Sequence, residues 1–200
     1  MPEDQKLTTA FHLLAEKITV TRLDAARRQL RTAITLWFAD GDQVSIHTLA
    51  AVAHQVLHDL NRAKKGPPML FDAPWIRDEV RKQYVGILKN DSNFFKHADK
   101  RGAKSNPADS VDFNSGLSEM FMVMSIYGLQ YLGEQIKDIE RAFLIWTAFQ
   151  KPHLLTDAGR KFYEDGVPIE IREGLRQMTK HKFLKQFLEV GRRTRRGESV

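Results

Sequence analysis

Apolar side chains return every three or four positions along nearly the whole of this chain, and strict alternation of apolar with polar residues is almost nowhere found. A period near 3.6 gathers side chains on one stripe of a helix, whereas a strand needs a period of two. The expected fold is therefore all-α: a single helical bundle with an N-terminal helix and a C-terminal helical extension. A length of 200 residues suits one domain with a sizeable core.

The punctuation divides the chain further. A first helix is expected over Glu3 to Lys17, with Leu7, Phe11 and Leu14 on its stripe, followed by the β-branched link Ile18-Thr19-Val20-Thr21. Thr21 is placed as an N-cap with Asp24 completing a capping box. The helix that follows turns Leu23, Ala26, Leu30, Ala33, Ile34, Trp37 and Phe38 inward and stops at Ala39-Asp40-Gly41-Asp42, where glycine would take a positive φ. Ser45 is the expected cap of the next helix, which ends near Ala63 before the helix-breaking Pro67-Pro68. Pro74 suits the first turn of a third helix through Leu88, and Asp91 or Ser92 would cap a separate short one. Lys100 to Asp112 reads as a loop. Further helices are expected from Asn114 or Ser115 to Leu132, from Gln135 to Gln150, from Thr156 to Glu164, from Pro168, and along the Phe183-Leu184-Phe187-Leu188 stripe to Gly191. The organisation so drawn is an N-terminal helix (1–20), a bundle core (21–150), a helical extension (151–191) and a basic disordered tail (192–200).

The chain has no cysteine, which removes disulfides, thiolate metal sites and cysteine nucleophiles from consideration. The longest stretch without Lys, Arg, Asp or Glu, Gln43 to His58, has 16 residues, short of the roughly 20 that a spanning helix needs. The acidic start Met1-Pro2-Glu3-Asp4 is unlike a secretory signal. The expectation is a cytoplasmic protein without a membrane partner. Net charge is +6, and Pro168 to Val200 holds nine Lys/Arg against four Asp/Glu. Arg192, Arg193, Arg195 and Arg196 could therefore meet a phosphate backbone or an acidic partner, or simply solvate a terminus.

Two groups of residues could carry chemistry. His47, His54 and His58 fall within about 40° of one another on a helix. His54 and His58, four residues apart, could share a metal ion if a third ligand came from elsewhere, but structural histidines at a bundle seam fit the same spacing. No cofactor is implied. The second group is Ser92-Asn93-Phe94-Phe95-Lys96-His97-Ala98-Asp99. Asn93 and His97 lie one turn apart. His97 could act as acid or base near neutral pH with Asp99 or Asn93 fixing its tautomer, and Lys96 and Arg101 could stabilise a phosphate. The alternative is an aromatic anchor, Phe94-Phe95, with its polar neighbours in water.

This second group resembles the signature of the HEPN superfamily, helical domains with an Arg-polar-x-x-x-His motif. Asn93, three intervening residues and His97 match its second half, while Ser92 stands where the family has arginine. The resemblance implies RNA as partner, a homodimer with motifs facing across the interface, and metal-independent RNA cleavage assisted by the arginine and histidine. A non-cleaving domain that binds RNA or a protein partner is implied equally. Over roughly the first 150 residues the chain also resembles a bacterial protein family sharing Ser-Ile-His-Thr-Leu (Ser45 to Leu49) and Asn-Phe-Phe-Lys-His-Ala-Asp (Asn93 to Asp99). That likeness pairs His47 with His97 and suggests that both approach one pocket.

Three readings follow: a HEPN-like domain with His97, Asn93, Lys96 and His47 at its site; a homo-oligomeric interaction module; and a histidine-rich metal-binding bundle.

Overall fold

The computed structural model describes residues 17–96, 110–165, 167 and 169–197, and the expected helix over Glu3 to Lys17 lies almost wholly outside them. Among the described residues there are eight α-helices and no strands. Thr21 caps α1 (Arg22–Phe38): its Oγ1 accepts from the Asp24 amide at 3.0 Å. The Thr21 hydroxyl also donates to the Asp24 carboxylate at 2.7 Å, so Asp24 closes the cap on the side chain. That hydroxyl holds the Asp24 carboxyl below its ordinary pKa. At the far end Asp40, not Gly41, takes the left-handed conformation (φ 52°), and the Gly41 amide reaches back to the Leu36 carbonyl at 2.8 Å.

Asp42, rather than Ser45, caps α2 (Gln43–Ala63), accepting from the Ser45 amide at 2.7 Å. An ionised carboxylate is a stronger acceptor than a hydroxyl at a helix N-terminus, which starts the helix two residues before Ser45. α2 ends on Lys65 (φ 56°) and Gly66, where Asn61 donates to the Pro67 carbonyl at 2.7 Å. A Cβ at Gly66 would stand 1.9 Å from Asn61 Oδ1, so only glycine fits.

A short 3₁₀ turn, Leu70–Asp72, leads to α3 (Asp78–Lys96), whose continuity corrects the division expected near Asp91. No proline interrupts the run. Asp91 and Ser92 sit in the helix interior on its buried face instead of capping a new one. Arg81 holds the approach to α3 by donating to the Ala73 and Ile76 carbonyls at 3.1 and 2.6 Å. Trp75, in the turn before α3, is 72% exposed.

α4 (Gly116–Tyr131) runs parallel to α2: His47 lies opposite Ser118, and Leu57 opposite Gly128. α5 (Asp138–Gln150) begins three residues later than the pattern suggested, after Gly133 at φ 82°. Its Glu140 is fully buried, accepting from Arg31 Nε at 2.9 Å and from the Lys137 amide. α1, α2, α4 and α5 enclose a core that includes Leu30, Ile34, Phe38, Ile46, Leu57, Phe121, Ile126 and Phe143.

α6 (Asp157–Glu164) is capped by Thr156 and α7 (Ile169–Gln177) follows it. α8 (Lys180–Arg195) returns to the bundle, where Phe183 stacks on Phe38 and tilts against Trp146. Burial of that ring contributes about 1.5–3 kcal/mol. Lys180 pairs with Asp40 and lies over the Trp37 ring. α8 passes through Gly191 to Arg195, which corrects the tail expected to start at 192. Arg193 pairs with Glu189 at 2.7 Å and Arg195 with Asp138 at 2.6 Å, exposed contacts that offset part of the helix penalty of roughly 1 kcal/mol for one glycine.

Candidate functional site

α2 sets His47, His54 and His58 on one side, as their spacing requires, and that side faces inward. His47 is 0% exposed. Its Nδ1 lies 3.1 Å from Ser118 Oγ, and the rings of Phe95, Phe113 and Phe121 surround it edge-on at 5.6–5.8 Å between centroids. Burial pushes its pKa below the ordinary value, with Lys96 adding to the effect and Asp91 opposing it. His47 is therefore closed to solvent behind three phenylalanine rings, and His97, the residue expected to share a pocket with it, lies outside the described residues.

His54 is also fully buried, packed edge-on against Phe71 at 4.5 Å. Neither of its ring nitrogens has a hydrogen-bond partner. Burial first, then repulsion from His58 and Lys89, lowers its pKa to about 3. His58 reaches two carboxylates, Asp59 at 3.2 Å from Nδ1 and Asp72 at 3.5 Å from Nε2. His54 and His58 stack with centroids 6.2 Å apart, so the pair does not form a chelate around one point. Among the described residues no group of three or more His, Asp or Glu is placed to hold a metal ion.

A different recess opens between α2, α3 and α4, with a volume of about 240 Å³. α3 supplies Lys89, Ser92, Asn93 and Lys96; α2 supplies Ala51 and Gln55; Phe71 and Phe121 complete the wall. These residues of α3 meet there because positions 89, 92, 93 and 96 recur at helical spacing. Lys89 Nζ sits 4.5 Å from the centre of the Phe71 ring. The Ser92 hydroxyl donates to the Lys89 carbonyl at 3.2 Å, and the Gln55 amide donates to Asp59 at 2.9 Å. Burial and the neighbouring Lys89 charge both lower the Lys96 pKa. Among the described residues neither lysine has a carboxylate within ion-pairing distance. Among the described residues the recess thus combines two lysines without ion-pair partners and an exposed carboxamide with aromatic walls, a composition suited to an oxyanion.

Of the residues singled out from the sequence, Asn93 and Lys96 share this recess and His47 lies behind its Phe121 wall. His97, Asp99 and Arg101 lie outside the described residues. Arg192, Arg193 and Arg195 belong to α8, which packs mainly on α5 and α1. Arg192 donates to the Leu188 carbonyl at 3.2 Å, and Arg196 closes the helix end through its amide. Lys89 was missed. Its signal, a lysine at four and seven residues before Asn93 and Lys96, becomes visible only when α3 is read as one helix. No helix among the described residues is long and apolar enough to cross a membrane. In comparisons with known proteins, no family, no curated protein and no solved structure matches the chain.

Proposed function

We propose that this chain is a HEPN-like helical domain that binds RNA, with the recess on α3 receiving phosphate. One observation carries the reading: Lys89 and Lys96 stand three residues before and four after Ser92, on the face of the helix where the HEPN motif has its arginine. The positive charge missing at position 92 is thereby supplied from the turns on either side. Asn93, the polar position of that motif, lines the same recess. Binding needs only these groups. Cleavage would also need the acid–base function that the motif assigns to His97, so the two activities separate experimentally. Fluorescence anisotropy with a single-stranded RNA across a salt series tests the reading. The Lys89→Met, Lys96→Met double variant should bind more weakly, with a salt slope shallower by about 1.4 for two lost phosphate contacts. Unchanged affinity and slope would remove the recess from RNA binding.

A second reading, an interaction module that pairs with another copy or a protein partner, draws on the exposed apolar side chains of the C-terminal half. Leu154, Phe162, Ile169 and Ile171 are 52–77% exposed. Sedimentation over a range of concentrations tests it, since a homodimer held by this surface should dissociate in Phe162→Asp, Ile169→Asp protein. A monomer at all concentrations would exclude the homodimer.

A further inference from the structure

We infer that the recess between α2, α3 and α4 takes the terminal phosphate monoester of an RNA, held between Lys89 and Lys96 with Asn93 donating a hydrogen bond. This rests on the RNA-binding reading and specifies which phosphate occupies the site. Size is the first ground. A volume of about 240 Å³ falls below the roughly 300–1,000 Å³ of pockets that enclose drug-sized ligands. A phosphate group fits within that volume with room to spare.

Charge is the second. The Lys89 charge lies close enough to disfavour protonation of Lys96, and among the described residues no carboxylate pairs with either lysine. An internal phosphodiester brings a single negative charge. A monoester carries about −1.5 to −2 at neutral pH and so matches both ammonium groups. Donor supply is the third ground. The Ser92 hydroxyl donates within the protein and Gln55 gives one of its two amide N–H groups to Asp59, so the two ammonium groups and the Asn93 carboxamide are the main donors facing the ligand. Phe71 and Phe121 limit water at the inner wall and strengthen these charge-assisted bonds.

The test compares one short single-stranded RNA sequence carrying a 5′-phosphate, a 3′-phosphate or hydroxyls at both ends, each titrated into the full chain at fixed salt. One phosphorylated form should bind about tenfold more tightly than the hydroxyl form, and the two phosphorylated arms distinguish which end is read. The advantage should shrink as pH falls below about 6, where the monoester takes up its second proton. It should disappear in Lys89→Met, Lys96→Met protein and in Asn93→Asp protein, the latter placing an acid at the exposed mouth without disturbing the Lys89–Phe71 contact. Equal affinity for all three RNAs, with binding still dependent on the lysines, overturns the monoester assignment and leaves RNA binding in place. Recess-dependent binding of a nucleoside monophosphate with no RNA binding supports the monoester site and overturns the RNA reading. Tighter binding of a phosphoserine peptide overturns the choice of RNA. A phosphate advantage that survives in both variants places the site elsewhere.

Discussion

His47 Nδ1 and Ser118 Oγ meet at 3.1 Å across the seam where α2 and α4 run parallel, both residues wholly shut off from solvent. One heptad further on, His54 and Ser125 occupy the equivalent places on the two helices, also buried, and both lack hydrogen-bond partners. A polar line thus runs through an otherwise apolar contact, bonded at one end through His47 Nδ1 alone and without hydrogen bonds at the other. Its histidines act on stability, while the charged recess lies on the neighbouring face of α3.

Ser118→Ala should destabilise the fold by about 1–3 kcal/mol, because His47 would keep its burial and lose its partner at Nδ1. Urea denaturation at neutral pH measures this. Recess-dependent RNA binding should be unaffected, since Ser118 does not line the recess.

His54 makes stability depend on pH. Its folded pKa of about 3 lies well below the ordinary histidine value of 6.5. The folded state therefore keeps it neutral while the unfolded chain takes up a proton. Stability is full above the unfolded value and falls as pH drops from there toward about 3, by up to about 1.4 kcal/mol per pH unit for one proton. Burial also depresses His47, which acts in the same direction, whereas Asp59 opposes the shift at His54 and Lys89 and His58 reinforce it. Denaturation midpoints at several pH values should fall less steeply in acid for His54→Leu than for the natural chain. Parallel curves would assign the acid sensitivity to other groups.

Glu140→Gln should loosen the junction of α1 and α5. The carboxylate is fully buried, and its loss leaves Arg31 with a neutral partner. Arg31 is about one-third exposed, so water recovers part of the cost and about 1–2 kcal/mol is expected. A double-mutant cycle with Arg31→Met isolates the pair.

Gly66→Ala should cost about 1–3 kcal/mol, because the new methyl group would collide with Asn61 Oδ1 and break the bond to the Pro67 carbonyl. Thermal melting compares it with Gly174→Ala, where a Cβ meets nothing within 4 Å. Gly174 lies in the interior of α7, and alanine there should be neutral or stabilising.

Helix after helix could be read from local spacing, because a 3.6-residue apolar period and a cap such as Thr21 or Thr156 are properties of neighbouring residues. The sequence by itself thereby determined the all-α class, most helix positions and the common side of the three histidines. It also supplied Asn93 and Lys96 as companions. Which way those sides faced was decided only by packing. Asp91 and Ser92 have the chemistry of caps, yet sit inside α3 because that turn is covered by the bundle. Gly191 has the chemistry of a stop, yet α8 continues past it to Arg195, which meets Asp138, 57 residues earlier in the chain. The same holds for His47, whose spacing is local but whose three phenylalanine neighbours come from α3, α4 and the segment between them. Burial, and with it the difference between a histidine that reacts and one that packs, depends on surfaces distant in sequence, and no local period encodes them.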